Sequence, residues 1–579
     1  MADTNKQIAS IFNQMADVLQ ILDANRFRII AMQKAARVVK ELTTDTASMT
    51  HAELLSLDGV GKGTADKIVE FCETGQMIEH NELLKEIPKG LPDLLNIPGL
   101  GAKTVALLWK EADIVSIKSL ERALKKPELL TSIKGLGQKK IDMIAKNLAF
   151  AEQAGKRHTI GRAHLKAVYF VAQLRQLKEV KQAAYAGSLR RGKETIGDID
   201  ILVAADPKHA SIVTERFTAL EPVEDVMLSG KTKTSVRTKG GIQVDLRIIA
   251  PESYGAALMY FTGSKEHNVV LRERAQSMGM TLSEYALTDK QTEKTVAART
   301  EEEIYKALGL DFIPPELRED RGEIIAAEEH KLPKLVTQRD IHAELHAHTH
   351  ASDGLLSIRE LAGLAYDRGF HTIAVTDHSK SQVQAHGLDE KRLEQHIKDI
   401  HAVRDEMAGK IHVLAGSEVD ILADGKLDYP NSLLKQLDIV VASPHSALSQ
   451  TGKKATDRLI KAINNPYVHI IGHPTGRLLA RREGMSPDMN TIIKAAADRG
   501  IALEINANHH RLDLRDTHAR AAIEAGCLLA INTDAHRPND FNELQYGLLT
   551  ARRAWAEPKN IVNCFAEDKL MGWLKSCRP

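Results

Sequence analysis

Residues 197–202 read "GDIDIL", two carboxylates one residue apart at the head of a hydrophobic run. Side chains alternate faces along a strand, so Asp198 and Asp200 point the same way. Their charges repel unless a cation lies among them. Just upstream, "YAGSLRRGKET" places Gly187, Ser188 and Arg191, a small-residue turn and a guanidinium, ahead of the acids. A second strand-like run, "IQVDLRII" (242–249), carries Asp245, which could close a three-carboxylate cluster across a sheet. Such a cluster suits two Mg²⁺ ions ~3.5–4 Å apart, which align a hydroxyl with an α-phosphate. Spacing alone fits surface or turn acids equally well.

The rest of the chain sets the frame. At 579 residues it exceeds what one hydrophobic core supports, so several domains are expected. Lys plus Arg (78) nearly balances Asp plus Glu (77), which excludes a uniformly basic coat and leaves local patches for any nucleic-acid contact. The four cysteines, Cys72, Cys527, Cys564 and Cys577, lack CxxC spacing, and the start "MADTNKQIAS" has no export-signal pattern. A reduced, cytoplasmic protein is expected, with no membrane span and no membrane partner. The 24 histidines crowd beyond residue 340, and the charged stretch 316–340 suits a connection between domains.

The N-terminal part is helical in pattern and repetitive. "LDGVGKGTADKI" (57–68), "IPGLGAKTVALL" (97–108) and "IKGLGQKKIDMI" (133–144) each set Gly-hydrophobic-Gly before an amphipathic helix. The pairs are Gly59 and Gly61, Gly99 and Gly101, Gly135 and Gly137. Such turns expose helix N-terminal amides that hold a phosphate oxygen without reading a base. Three copies favour this over ordinary glycine turns, and the pattern resembles the helix-hairpin-helix motif of DNA-binding proteins.

The stretch from Gly187 to Leu202 resembles the nucleotidyltransferase signature of family X DNA polymerases, and "YFTGSKEHNVVLRERA" (260–275) their nucleotide-binding segment. The resemblance implies that Asp198, Asp200 and Asp245 ligate Mg²⁺ while Ser188 and Arg191, on the Gly187 turn, hold a triphosphate. It further implies that Tyr260 and Phe261, followed by Gly263, line the sugar pocket, that Asn268 touches the base edge, and that Arg272 meets the template. "NRFRIIAMQKAARVVKEL" followed by the first glycine turn is similar to the family's gap-binding domain. There Lys67 matches a Schiff-base lysine and Arg28 a phosphate-binding position. Lys265 departs from the animal enzyme's acid, and Asp58 replaces the usual proline.

Beyond residue 340, seven hydrophobic runs end in metal-binding side chains: "AELHAHTH", "TIAVTDHS", "HVLAGSEVD", "DIVVASPHS", "VHIIGHPTGR", "IALEINANH" and "LLAINTDAHR". Alternation with helix-like segments predicts parallel strands closing into a barrel with its site at the strand C-termini. His346, His348, Asp353, His378, Glu418, His445, His473, Asp534 and His536 are expected to converge there. Imidazoles with carboxylates suit Mn²⁺ or Zn²⁺, as two or three ions. His350, His371, His386 and His509 are read as bystanders, and Arg477 as either a phosphate contact or a loop arginine. The region resembles the PHP (polymerase and histidinol phosphatase) domain.

Nearly the whole chain is thus similar to the bacterial and archaeal family X DNA polymerases that carry a C-terminal PHP domain. The expected fold is multidomain α+β and α/β. A gap-binding, lyase-like helical domain (1–85) and helical fingers (86–155) precede a mixed-sheet palm (156–260) and a thumb (261–318). A linker (319–340) then leads to a distorted seven-stranded β/α barrel (341–579). The resemblance implies gap filling in DNA repair on gapped or nicked duplex with dNTPs, 3′–5′ trimming by the barrel, and 5′-deoxyribose phosphate lyase or abasic-site cleavage. A monomer is expected. Two alternatives stay open: an end-processing phosphoesterase with a weak palm, and a noncatalytic DNA-structure scaffold.

Overall fold

A computed structural model describes residues 2–578 apart from 43, 98–99, 126–127, 132, 134–135, 149–156 and 231. Two compact units divide the chain, Met1–Lys156 and Arg157–Pro579.

The described part of the first unit is built on helices. In the helix Ala2–Ile21 the residues Ile8, Phe12, Met15 and Leu19 recur at helical spacing and are fully or almost fully buried. They join Ala35 and Val39 of Arg26–Glu41 in one core that continues through Leu54, Ile68, Val105 and Ile141. Asn25 starts the second helix by accepting a hydrogen bond from the Phe27 amide. The glycine turns are superimposable in their bonding. Val60, Leu100 and Leu136 each donate to the carbonyl three residues back at 3.0 Å, and the amides of Thr64, Thr104 and Lys140 return to Gly61, Gly101 and Gly137.

In the second unit, "DIDILVA" forms the strand Asp198–Ala204 inside a five-stranded sheet. It pairs antiparallel with Gln182–Tyr185 and parallel with Gln243–Ile249, beyond which lie Lys233–Thr238 and Val223–Ser229. Period two explains the motif that opens the strand. Ile199, Ile201 and Val203 face a core with Phe170 and Phe217 of the helices Ile160–Arg175 and Ala210–Thr218. Leu202 and Ala204 face the helix Tyr254–Thr262, so the two aspartates begin the face that this second helix covers. A thumb core follows around Leu271, Leu287, Ile304 and Tyr305, over the three-stranded sheet Met280–Leu282, Leu287–Asp289 and Thr295–Ala297. Residues 319–340 are not a solvated tether: Glu323 is fully buried, Leu335 joins the thumb core and Val336 the barrel core.

The seven expected runs form seven strands, Ala343–Ala347, Thr372–Val375, His412–Asp420, Ile439–Ser443, Ile470–Ile471, Ala502–Asn506 and Leu528–Asn532, parallel and adjacent in chain order. A bridge between Ala347 and Ala535 nearly closes the barrel. Leu512 and Tyr546 leave it to pack in the palm core, so palm and barrel share buried surface.

Candidate active sites

In the palm, the parallel register sets Asp200 directly opposite Asp245, with Asp198 two residues along on the same face. Lys233 supplies one cation at the edge of the cluster, its ammonium 2.6 Å from Asp245 Oδ2, and Gln243 donates to the other oxygen at 2.9 Å. Burial, then Asp198 and Asp245, push the Asp200 carboxyl up to about 7. Burial and Asp245 raise Asp198 as well. Gly187 has φ +61°, and a β-carbon there would stand 2.4 Å from Asp200 Oδ2, so only glycine lets the turn approach the acids this closely. Ser188 lies on this turn. Arg191 leaves it to donate from Nε to Glu319 at 3.0 Å and from Nη1 to the Thr262 carbonyl at 2.5 Å.

Beside this turn the Tyr260 and Phe261 rings meet edge-on at 5.1 Å, with the Arg247 guanidinium over Phe261 at 4.1 Å. Gly263 follows, and a β-carbon there would sit 3.1 Å from the Arg191 guanidinium. Asn268 spends its amide on the Tyr260 carbonyl at 2.7 Å. Arg272 stands one turn further along the helix Lys265–Ser277, partly exposed. All but Arg272 of the sequence-predicted nucleotide residues therefore meet in direct contacts or on one turn.

In the helical unit Arg28 and Lys67, far apart in sequence, meet on Glu79, each 2.8 Å from its carboxylate; Lys67 also donates to the Gly63 carbonyl at 2.9 Å. Gly61 and Gly101 start the helices Lys62–Thr74 and Ala102–Ala112 with no side-chain cap, and no atom lies within 4 Å of a β-carbon built on either or on Gly137. Gly59 holds φ +92° over Lys34. Gly99 and Gly135 lie outside the described residues.

The barrel brings its nine expected residues together. Glu418 is central: Oε1 lies 2.9 Å from His473 Nε2 and 3.3 Å from the Nε2 atoms of His346 and His445, and Oε2 lies 2.8 Å from His378 Nδ1. Asp534 Oδ1 is 3.0 Å from His348 Nε2, and Asp353 Oδ1 is 3.2 Å from His536 Nε2. Three overlapping groups can each hold a cation: His348, Asp353, His378 and His536; His346, His348 and Asp534; His378, Glu418 and His445. His346 Nε2, His348 Nδ1, His473 Nδ1 and Glu418 Oε2 are buried without a hydrogen-bond partner among the described residues. The clustered nitrogen and oxygen atoms of the three groups fit divalent ions. Asp534 has φ +54° and His473 φ +26°, conformations that cost a non-glycine residue about 1–2 kcal/mol.

The structure adds residues that the sequence reading leaves out. Glu504, fully buried, accepts from His346 Nδ1 at 2.7 Å and from the His473 amide at 2.8 Å. It stands in "IALEINANH", the one barrel run from which no ligand is taken. Asp420 accepts from His445 Nδ1, and Asp377, beside His378, gathers Thr349, Ser352 and His396. Period two carries a signal for Asp420, which shares a strand face with Glu418; nothing in the sequence marks which carboxylates stand behind the ligands. Arg477 is a bridge to the palm, 2.7 Å from Glu194.

The sequence matches the family DNA polymerase beta thumb over residues 257–319 and the PHP domain over 344–508. It matches a helix-hairpin-helix domain over 3–77 and a SAM-like helix-hairpin-helix tandem over 91–149. A protein of Bacillus subtilis (strain 168) named DNA polymerase/3'-5' exonuclease PolX is 36% identical over 98% of this chain and 99% of its own. The chain belongs to the family X DNA polymerases that carry a PHP domain. Two further relatives match this family X chain over part of its length. DNA polymerase lambda of Rattus norvegicus is 25% identical over 55% of the chain and 58% of its own length. A protein named a probable phosphatase in Thermoanaerobacter sp. (strain X514) is 29% identical over 38% of the chain and 89% of its own. No helix among the described residues is long and apolar enough to cross a membrane.

Proposed function

We propose that the chain is a DNA-directed DNA polymerase that fills short gaps during repair, and that its barrel removes 3′-terminal nucleotides by hydrolysing phosphodiesters. The observation that carries this reading is the coexistence of two differently built polar centres in one chain. One is an oxygen-only triad, Asp198, Asp200 and Asp245, beside a glycine turn with Arg191. The other is an imidazole-rich cage around Glu418.

The donor sets favour different cations. Carboxylates alone suit Mg²⁺ in the palm, whereas imidazole with carboxylate suits Mn²⁺ or Zn²⁺ in the barrel. Such ions, when bound, stabilise charge on phosphate oxygens and lower the pKa of a hydroxyl or water. The chain's own residues do the rest. Asp200, raised to about 7 by burial and its neighbours, becomes fully anionic when positive charge arrives. Arg191 and the Gly187 turn receive the triphosphate, Tyr260 and Phe261 bound the sugar, Asn268 stands at the base and Arg272 at the template strand. In the barrel Glu504 fixes His346 with Nε2 toward the cage, and Asp420 does so for His445. The helix-hairpin-helix turns hold duplex DNA by phosphate contacts. Lys67 and Arg28, joined on Glu79, are the proposed 5′-deoxyribose phosphate site; the amine must first leave that carboxylate, and borohydride trapping on gapped DNA detects the resulting adduct.

A 5′-labelled, one-nucleotide-gapped duplex with dNTP and Mg²⁺, then with Mn²⁺ alone, tests both centres. Asp200→Ala is expected to lose extension by more than about 100-fold and keep trimming, and His346→Ala to do the reverse. Loss of both reactions in either folded variant would sink the assignment.

A further inference from the structure

Glu319, which anchors Arg191, is itself held from the barrel. Its carboxylate sits among cations from two parts of the chain: Arg191 at 3.0 Å and Lys193 at 3.4 Å in the palm turn, and Arg553 at 2.9 Å at the end of the barrel helix Leu544–Arg553. Arg553 is only 3% exposed and faces two carboxylates. Nη1 also donates to the Arg191 carbonyl at 2.7 Å, and Nε and Nη2 lie 3.0 and 2.8 Å from Asp516 Oδ2. Arg321 closes the cluster on Asp516 at 3.1 Å. The same helix presses on the turn through Leu549, whose Cβ would be 3.1 Å from a β-carbon at Gly192. One barrel side chain thus grips both the backbone of the candidate triphosphate arginine and the carboxylate that orients its guanidinium. With Nε and Nη1 engaged, Nη2 is the corner of Arg191 left to meet a phosphate.

We propose that Arg553 and Glu319 are positioning residues of the nucleotidyl-transfer centre, so that the barrel is a structural part of the palm's nucleoside triphosphate site. This rests on the reading of Arg191 as the triphosphate arginine. A buried guanidinium shared between two carboxylates resists displacement, because removing it deprives both of a cation in a desolvated place. Freed of them, Arg191 samples other rotamers, and a triphosphate must reorder it on binding.

Steady-state single-nucleotide addition on a gapped duplex by the full chain tests the inference, with Mn²⁺-dependent 3′ trimming and the thermal midpoint measured on the same preparations. Arg191→Ala, Glu319→Gln and Arg553→Met are each expected to raise the KM for dNTP by about tenfold or more, the scale of one lost charge-assisted hydrogen bond. kcat should change less, trimming should persist, and Arg553→Lys should recover part of the loss. If Arg191→Ala raises KM while Glu319→Gln and Arg553→Met leave it at the wild-type value, the inference is overturned and the Arg191 reading stands. If Arg191→Ala leaves KM unchanged, that reading falls and takes the inference with it. Should Arg553→Met not fold, the near-isosteric Glu319→Gln decides alone: raised KM with trimming intact supports positioning, and unchanged KM or a parallel loss of both reactions overturns it.

Discussion

At the residue scale, the two centres place their second row of carboxylates differently. In the palm the acids themselves crowd, and Lys233 offsets their charge at 2.6 Å. In the barrel Glu504 stands behind His346 at 2.7 Å and holds the His473 amide at 2.8 Å, which makes it a probe of ligand orientation. Glu504→Gln keeps the shape but can donate to Nδ1, so it favours the wrong tautomer. Removing such a partner costs about 10–100-fold in metal affinity. A titration of the apo-protein with Mn²⁺, read by calorimetry, is expected to show that loss, with gap extension under Mg²⁺ unchanged. Wild-type affinity would show that His346 is oriented by packing alone.

At the scale of elements, the repeated hairpin turn is legible as a device because its glycines differ in necessity. Gly59 needs its positive φ, whereas Gly61 and Gly101 have φ near −80° and open space around them. A β-carbon at Gly61 or Gly101 therefore strains nothing in the free protein. It stands instead where a phosphate oxygen would approach the helix N-terminus. Gly61→Ala with Gly101→Ala is expected to change the melting temperature little, since stiffening of the unfolded chain by about 0.4–1 kcal/mol per site offsets the preference of a helix N-cap for Gly over Ala. Affinity for gapped duplex, measured by anisotropy at fixed salt, should fall. Undiminished affinity would remove the phosphate role from these turns.

Across the whole molecule, the junction of palm, thumb end and barrel is a cluster of buried ion pairs, and this predicts how stability follows pH. Burial alone would raise the carboxyls of Glu319 and Asp516, but Arg553 and neighbouring cations hold both far below the usual carboxylate range. A carboxylate depressed in the folded state contributes stability that is present above its unfolded value, near 4.5 for Glu, and is lost as pH falls toward the folded one. His518, buried beside Arg515, is depressed by that burial and charge, and acts in the same direction below about 6.5, where the unfolded imidazole takes a proton. The Glu319 and Asp516 pairs are therefore expected to contribute a drop in the urea midpoint of the second unit's transition below pH 4.5. In Glu319→Gln that drop should shrink. A difference between wild type and Glu319→Gln that stays constant from pH 7 to 4 would show that Glu319 contributes nothing to this dependence.

Sequence alone determined the local chemistry of this protein and the order of its elements. Strand alternation placed Asp198 and Asp200 on one face, and seven apolar runs ending in His, Asp or Glu gave seven parallel strands with their ligands at one end. These follow from periods of two and from residue types, which any local window contains. What only the tertiary structure decided is who meets whom across long separations: Lys233 on Asp245, Glu79 joining Arg28 to Lys67, Glu504 behind His346, and Arg553 on Arg191. Those pairings arise because packing brings together charges far apart in sequence, and for Glu504 and Arg553 burial leaves no partners but those the fold supplies.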